Sequence, residues 1–194
     1  MTGDAATRRR CLGALAAAPF LLGAARAALA STLWSALRAP AHVALIRHAM
    51  APGTFDPPGF RIGDCATQRN LSSEGRAQAE RIGDLFRANG IASAQVFSSQ
   101  WCRCLDTATL LRLGDVAPQP LLNSFAEDRG RGAQQIADLR AWLARQPLTS
   151  PTVLVTHQVV ITGLSRVFPA SGEIVVLRRD AGPDFIVVGR QPTA

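Results

Sequence analysis

A chain of 194 residues, 47% hydrophobic and 18% charged, has the size of one domain and the composition of a folded globule, which excludes a disordered chain. Its formal charge of +7 rests on arginine alone, since the sequence has no lysine, and residues 1–30 hold four Arg against one Asp. The remaining excess is interspersed with acids and lacks a basic run with interleaved aromatics, so no nucleic-acid partner is expected.

The chain opens on Arg8-Arg9-Arg10-Cys11-Leu12, then an Ala/Leu-rich run from Gly13 to Ala25, then Ala28-Leu29-Ala30. A charged region, a short apolar region and a small-x-small ending predict a secretory signal over residues 1–30. The paired arginines resemble a twin-arginine export signal. The apolar run is short and interrupted by Pro19, so a membrane contact is expected only through this signal or, if it stays uncleaved, an inner-membrane anchor. The expected location is the periplasm. Residues 31–40 read as a short lead-in and residues 41–194 as the domain.

In the domain, Val43–Ile46 reads as a buried strand. Ala51 to Asn70 is rich in Gly, Pro and Asp and reads as a long, functional loop. Ser72 is expected to cap a helix reaching Ala88, with Asn89-Gly90 as its stop. A second strand spans Ala94–Phe97 and leads through Ser98-Ser99 into a helix from about Trp101 to Leu113. Leu121-Leu122 is a candidate third strand. Ala133–Arg145 carries apolar residues at helical spacing, Thr152–Thr156 is the clearest strand, and a helix follows His157. Ile174–Leu177 and Phe185–Val188 read as an edge hairpin. Alternating strands and helices predict a three-layer α/β/α domain with a mostly parallel central sheet, whose ligands bind at the carboxyl ends of its strands.

Three expected strands end at Arg47-His48, just before Arg103, and at His157. Two His and two Arg make a poor metal site, because Arg does not ligate and no carboxylates stand at ligand spacing. They make a good phosphate site. A guanidinium matches two phosphate oxygens with its planar fork, and a neutral imidazole is a nucleophile near neutral pH. Attack by His48 would give a phosphohistidine that water hydrolyses, with Arg47, Arg103 and His157 stabilising the charge. Arg69, in the long loop, is read either as a substrate contact or as half of a surface salt bridge.

Leu45-Ile46-Arg47-His48-Ala49 resembles the Arg-His-Gly signature of the histidine phosphatase superfamily, branch 1, the phosphoglycerate-mutase-like proteins. Asn70 to Ala79 resembles that family's first helix, Ser98 to Ala108 its second phosphate-binding segment, and Val155-Thr156-His157 its second-histidine strand. The resemblance implies His48 as nucleophile, His157 as second histidine, and Arg47 and Arg103 as phosphate ligands, with no cofactor or metal. Two positions depart from the pattern. Ala49 stands where Gly is commoner, and Ser124 follows Leu122-Asn123 where the family often has its acidic Glu. Glu127 is then the candidate acid, with Asp128 in its place, or no acid at all, as the alternatives.

Outside the signal the cysteines are Cys65, Cys102 and Cys104. An oxidising compartment favours a disulfide from Cys65 to Cys102 or Cys104, pinning the long loop to the helix of Arg103; three free thiols are the alternative. The leading expectation is a metal-independent phosphomonoesterase acting on a phosphorylated small-molecule or envelope substrate. The alternatives are a phosphohistidine or envelope sugar-phosphate phosphatase, and a non-catalytic phosphate-recognising module of the same fold.

Overall fold

The computed structural model describes residues 32–180 and 184–193. The expected export signal lies outside the described residues. A central sheet of six strands has the order β3-β2-β4-β1-β5-β6. These are β1 (His42–Arg47), β2 (Gln95–Ser98), β3 (Val116–Pro118), β4 (Thr152–Thr156), β5 (Ile174–Arg179) and β6 (Phe185–Gln191). The first four run parallel; β5 and β6 close one edge as an antiparallel hairpin with a register shift between Val176 and Leu177.

Buried on both faces, the central strands read as unbroken apolar runs, and alternate side chains serve opposite layers. Ala44 and Ile46 of β1, Val153 and Val155 of β4, and Ile174 and Val176 of β5 pack toward one layer. Val43, Leu45, Leu154, Val175 and Leu177 pack toward the other. The first layer holds α1 (residues 32–38), α2 (Ser73–Ala88) and α3 (Cys102–Leu110); the second holds α4 (Gly132–Arg145) and α5 (Gln158–Ser165). The domain is thus a three-layer α/β/α sandwich with a mostly parallel sheet. Helix α1 packs Leu33, Trp34 and Leu37 into the core, with the Trp34 ring edge-on to Phe86 at 5.1 Å between centroids. No helix among the described residues is long and apolar enough to cross a membrane.

The third strand lies earlier than the sequence suggests. Val116–Pro118 pairs with β2, whereas Leu121 and Leu122 fall in a 3₁₀ turn, Pro120–Leu122. Pro120 has no N–H to give a ladder and its fixed φ suits the first position of a helical turn, so the apolar pair turns inward instead of extending. Leu122 is fully buried there. The helix of Arg103 ends at Leu110, before Arg112, which adopts φ 53°.

Candidate active site

The site begins with strand register. Arg47 at the end of β1 faces Thr156 at the end of β4, so the next residues, His48 and His157, emerge side by side at the sheet's carboxyl edge. Their rings meet edge to face with centroids 5.5 Å apart. Ser98 of β2 pairs with Val155, and the Ser99 N–H donates to the Val155 carbonyl, which brings Ser99 to the same edge. Helix α3 then starts and places Arg103 in its first turn.

The His48 loop is locked to its surroundings by its backbone. The Ala49 N–H donates to Thr107 Oγ1 at 3.0 Å, and the Thr107 hydroxyl donates to the Arg103 carbonyl at 2.7 Å, joining this loop to the helix of Arg103. The start of α2 presses on the same segment. Its cap Ser72 accepts from the Gly75 N–H, and a Cβ on Gly75 would stand 1.9 Å from the Met50 carbonyl oxygen. Only glycine permits that approach, which explains the Gly three residues after the capping Ser.

His48 is 3% exposed, and its Nδ1 lies 2.8 Å from the Ala49 carbonyl. A carbonyl only accepts, so Nδ1 carries the ring proton and Nε2 keeps a free lone pair. Burial first, and then the Arg103 guanidinium, push the His48 imidazole down to about 3, so it is neutral at ordinary pH. His157, 4% exposed, is driven well below its usual value by burial, then by His48 and Arg103. Its Nε2 is 2.8 Å from Ser99 Oγ, and Ser99 Oγ donates to Asn123 Oδ1 at 3.2 Å. With the Ser99 proton so directed, His157 donates from Nε2 and its Nδ1 faces Arg103 Nη2 at 3.5 Å.

Three guanidinium groups, from Arg47, Arg69 and Arg103, line one cavity of about 480 Å³ together with both histidines. Arg47 is held by donating to the Pro169 carbonyl at 3.0 Å, and Arg69 donates to the Ala51 carbonyl. Arg69 therefore lines the pocket, and among the described residues its side chain forms no salt bridge. Burial, then repulsion from Arg103, weighs against the charge of both Arg47 and Arg69. Among the described residues, the buried Nε atoms of all three arginines lack a hydrogen-bond partner. Crowded cations with unspent donors suit a bound oxyanion.

Asp56, which no sequence motif marks, sits at the centre of this arrangement. It pairs with Arg103 Nη1 at 2.8 Å, with side chains 5% and 4% exposed. Burial pulls its carboxyl upward, but hydrogen bonds from Arg103, the Arg69 N–H and Trp101 Nε1 together hold it below the usual value. An aperiodic loop carries Asp56, so only the fold could reveal its partner.

Glu127 and Asp128 are exposed and line the mouth of the cavity, with Ser124, Arg129 and Arg131 nearby. His42 opens β1 half-buried, its Nδ1 2.8 Å from the Pro40 carbonyl and away from the cavity lining. Cys65 is bridged to Cys102, which adjoins Arg103, while Cys104 is free and buried. Burial pushes the Cys104 thiol up to about 12, which makes it inert as a nucleophile at neutral pH. Among the described residues no cluster of three His, Cys, Asp or Glu is placed to hold a metal ion.

Comparison with known proteins gives a consistent picture. The family model "Histidine phosphatase superfamily (branch 1)" matches residues 43–127. No curated relative matches the sequence. Among solved structures, the protein histidine phosphatase SixA complexed with tungstate is similar at 16% identity, covering 78% of this chain and 97% of its own, with a TM-score of 0.56. The phosphoserine phosphatase of Entamoeba histolytica, with phosphoserine, gives the same identity, the same coverage of both chains and the same TM-score. A mycobacterial glucosyl-3-phosphoglycerate phosphatase is 18% identical, covers 75% of this chain and 96% of its own, and has a TM-score of 0.52. At these identities the solved structures speak for the fold alone. By sequence over residues 43–127, and by fold across the sheet and its helices, the chain resembles the histidine phosphatase superfamily, branch 1.

Proposed function

We propose that this chain is a phosphatase that hydrolyses phosphomonoesters without a metal, through a phosphohistidine on His48, in the cell envelope. The observation that carries the reading is the His48 ring. Its Nδ1 proton is committed to the Ala49 carbonyl, so Nε2 is a neutral nucleophile in a cavity shared with three arginines.

In the first step Nε2 attacks phosphorus, the N–P bond forms, and the bond to the leaving oxygen breaks. Arg47, Arg69 and Arg103 hold the non-bridging oxygens, and this electrostatic stabilisation supplies most of the rate. If Ser99 turns its hydroxyl onto His157 Nε2, His157 carries its proton on Nδ1 and donates toward the same oxygens. The leaving oxygen takes a proton from Glu127 or Asp128 at the mouth, since Ser124 offers no acid there. Water then attacks phosphorus, and the N–P bond breaks with its electron pair returning to Nε2. The proton that the water loses passes to the carboxylate that gave one up, which regenerates the acid and neutral His48 and releases inorganic phosphate.

Solved structures of similar fold come from a protein histidine phosphatase, a phosphoserine phosphatase and a sugar-phosphate phosphatase. The predicted export signal favours an envelope phosphate among such substrates. The test is rapid quenching of the reaction with labelled aryl phosphate into alkaline detergent, which denatures the protein while sparing an N–P bond. Wild-type protein should give an acid-labile, base-stable phosphoenzyme, and His48→Ala should lose it together with turnover by at least about 10⁴-fold. Near-normal hydrolysis by His48→Ala would overturn the mechanism. Fractionation of cells expressing the full chain tests the location: a mature form about thirty residues shorter outside the cytoplasm is expected.

A further inference from the structure

The geometry points to Asp56 as the residue that sets Arg103 in its phosphate-binding orientation, holding one edge of the guanidinium so that the other edge is presented as a two-pronged fork. The inference rests on the reading of Arg103 as a phosphate ligand.

A guanidinium has five N–H donors in a fixed plane, and a bidentate grip on phosphate needs two adjacent ones left free. At Arg103 the Nη1 donors are spent: one reaches Asp56 Oδ1 at 2.8 Å and another the Arg69 carbonyl at 3.3 Å. On the opposite edge, Nε is buried with no partner among the described residues, and Nη2 has only the 3.5 Å approach to His157 Nδ1. That edge is the free fork.

Asp56 is itself fixed from three directions, which a mere counter-charge would not need. Its Oδ1 also accepts from the Arg69 N–H at 2.9 Å, and its Oδ2 from Trp101 Nε1 at 3.1 Å. Trp101 is the residue just before α3, and the Trp101 ring stands edge-on to His157 at 5.2 Å. One carboxylate therefore references the loop, the helix start and the arginine to one another. It also sets the charge. Three arginines and one carboxylate, with both histidines neutral, leave a net charge of about +2 in the pocket, the complement of a phosphomonoester dianion.

Asp56 is a positioning residue: it touches Arg103 and not the reacting atoms. A double-mutant comparison on full-length protein with an aryl phosphate tests this. Asp56→Asn should lower kcat/KM by roughly 100-fold, as expected when a stabilising group is misplaced by about an ångström. It should weaken inhibition by vanadate, a mimic of five-coordinate phosphorus, by a similar factor. In an Arg103→Ala background the same substitution should change kcat/KM by less than about threefold, because the group it acts through is gone. There it should also raise the melting temperature, since it removes the charge of a buried carboxylate that keeps its two N–H donors but has lost its counter-charge.

Should Asp56→Asn fail to fold, Trp101→Phe decides: it removes one donor to Asp56 and should lower kcat/KM several-fold only when Arg103 is present. An unchanged kcat/KM in the variant used, or an equal loss in the Arg103→Ala background, overturns the inference. An Arg103→Ala protein as active as wild type would instead overturn the phosphate-ligand reading beneath it.

Discussion

On one side of the cavity the loop between β1 and α2 is fastened to α3 several times over; on the other, the segment leading into α4 presents exposed charges. The first wall is tied by the Cys65–Cys102 disulfide and by the Asp56–Arg103 ion pair. Gln68, which caps α3 by accepting from the Cys102 N–H at 3.0 Å, adds a third tie. The second wall is anchored at its start by buried Asn123, but Glu127, Asp128 and Arg129 are exposed, and Asp128 makes no cap to the short helix it precedes. In the proposed reaction the phosphate would lie against the fastened wall, beside Arg69 and Arg103, and the leaving group would face the open one. Such a division fixes the chemistry at phosphorus while leaving the rest of the substrate loosely specified.

The strongest way to break the fastened wall is at Arg103. Arg103→Ala should lower kcat/KM by about 10²–10³-fold, the usual result of removing one well-placed donor from a developing charge. It should also cost roughly 3–5 kcal/mol of stability, because Asp56 is left buried and unpaired. Steady-state kinetics and denaturant unfolding check the two parts separately.

Acid should attack the floor of the pocket next. His48 has a folded value of about 3 against an unfolded 6.5, and His157 is shifted in the same direction. Above 6.5 both states are unprotonated and stability is full. As pH falls below 6.5 the unfolded chain takes up protons that the native histidines refuse. Stability then declines by roughly 1.4 kcal/mol per pH unit for each group, until His48 itself protonates near 3. Unfolding free energy measured from about pH 7 to about pH 4 should show this slope, and His48→Gln should flatten it. The acid limb of kcat/KM, corrected for substrate ionisation, should show no step at 6.5 from His48.

Opening the disulfide is a smaller change. Cys65→Ser releases a loop of sequence separation 37 and should cost roughly 2–4 kcal/mol, with a several-fold rise in KM because Cys102 adjoins Arg103. Thermal unfolding with and without reductant should differ for wild type and coincide for the variant.

The floor was legible in the sequence because strand ends and chemistry coincide there. Arg47-His48 and Thr156-His157 stand at the ends of short apolar runs, and parallel pairing of those runs necessarily brings their terminal residues side by side. The walls were less legible. Cys102 and Cys104 lie two residues apart on α3, about 200° around the helix, so only one can face the loop; which one depends on how the helix is rolled against the sheet. Cys104 faces the core and Cys102 the loop. Asp56 gave no local signal, because its meaning lies in a partner 47 positions away. Leu121-Leu122 misled for a related reason: a short apolar pair fits either a strand or a buried turn, and Pro120 tips it to the turn.

The smallest expected effect lies on the open wall, and it sharpens the comparison most. If protonation of the leaving oxygen falls to exposed groups, Glu127 and Asp128 share the task, and among the described residues neither side chain is held by an ion pair that would make it indispensable. Glu127→Gln should then lower kcat/KM by less than about threefold on an aryl phosphate, whose leaving group departs without a proton. On an alkyl phosphate, which needs the proton, the loss should be about tenfold, below the usual contribution of a single positioned acid, and larger again when Asp128→Asn is added. The decisive quantity is the ratio of the two substrates, because a general disturbance of the mouth would lower both equally. Equal losses would remove Glu127 from the chemistry. A loss of several hundredfold on the alkyl substrate alone would mean that phosphate binding orders this wall as firmly as the disulfide and Asp56 order the other.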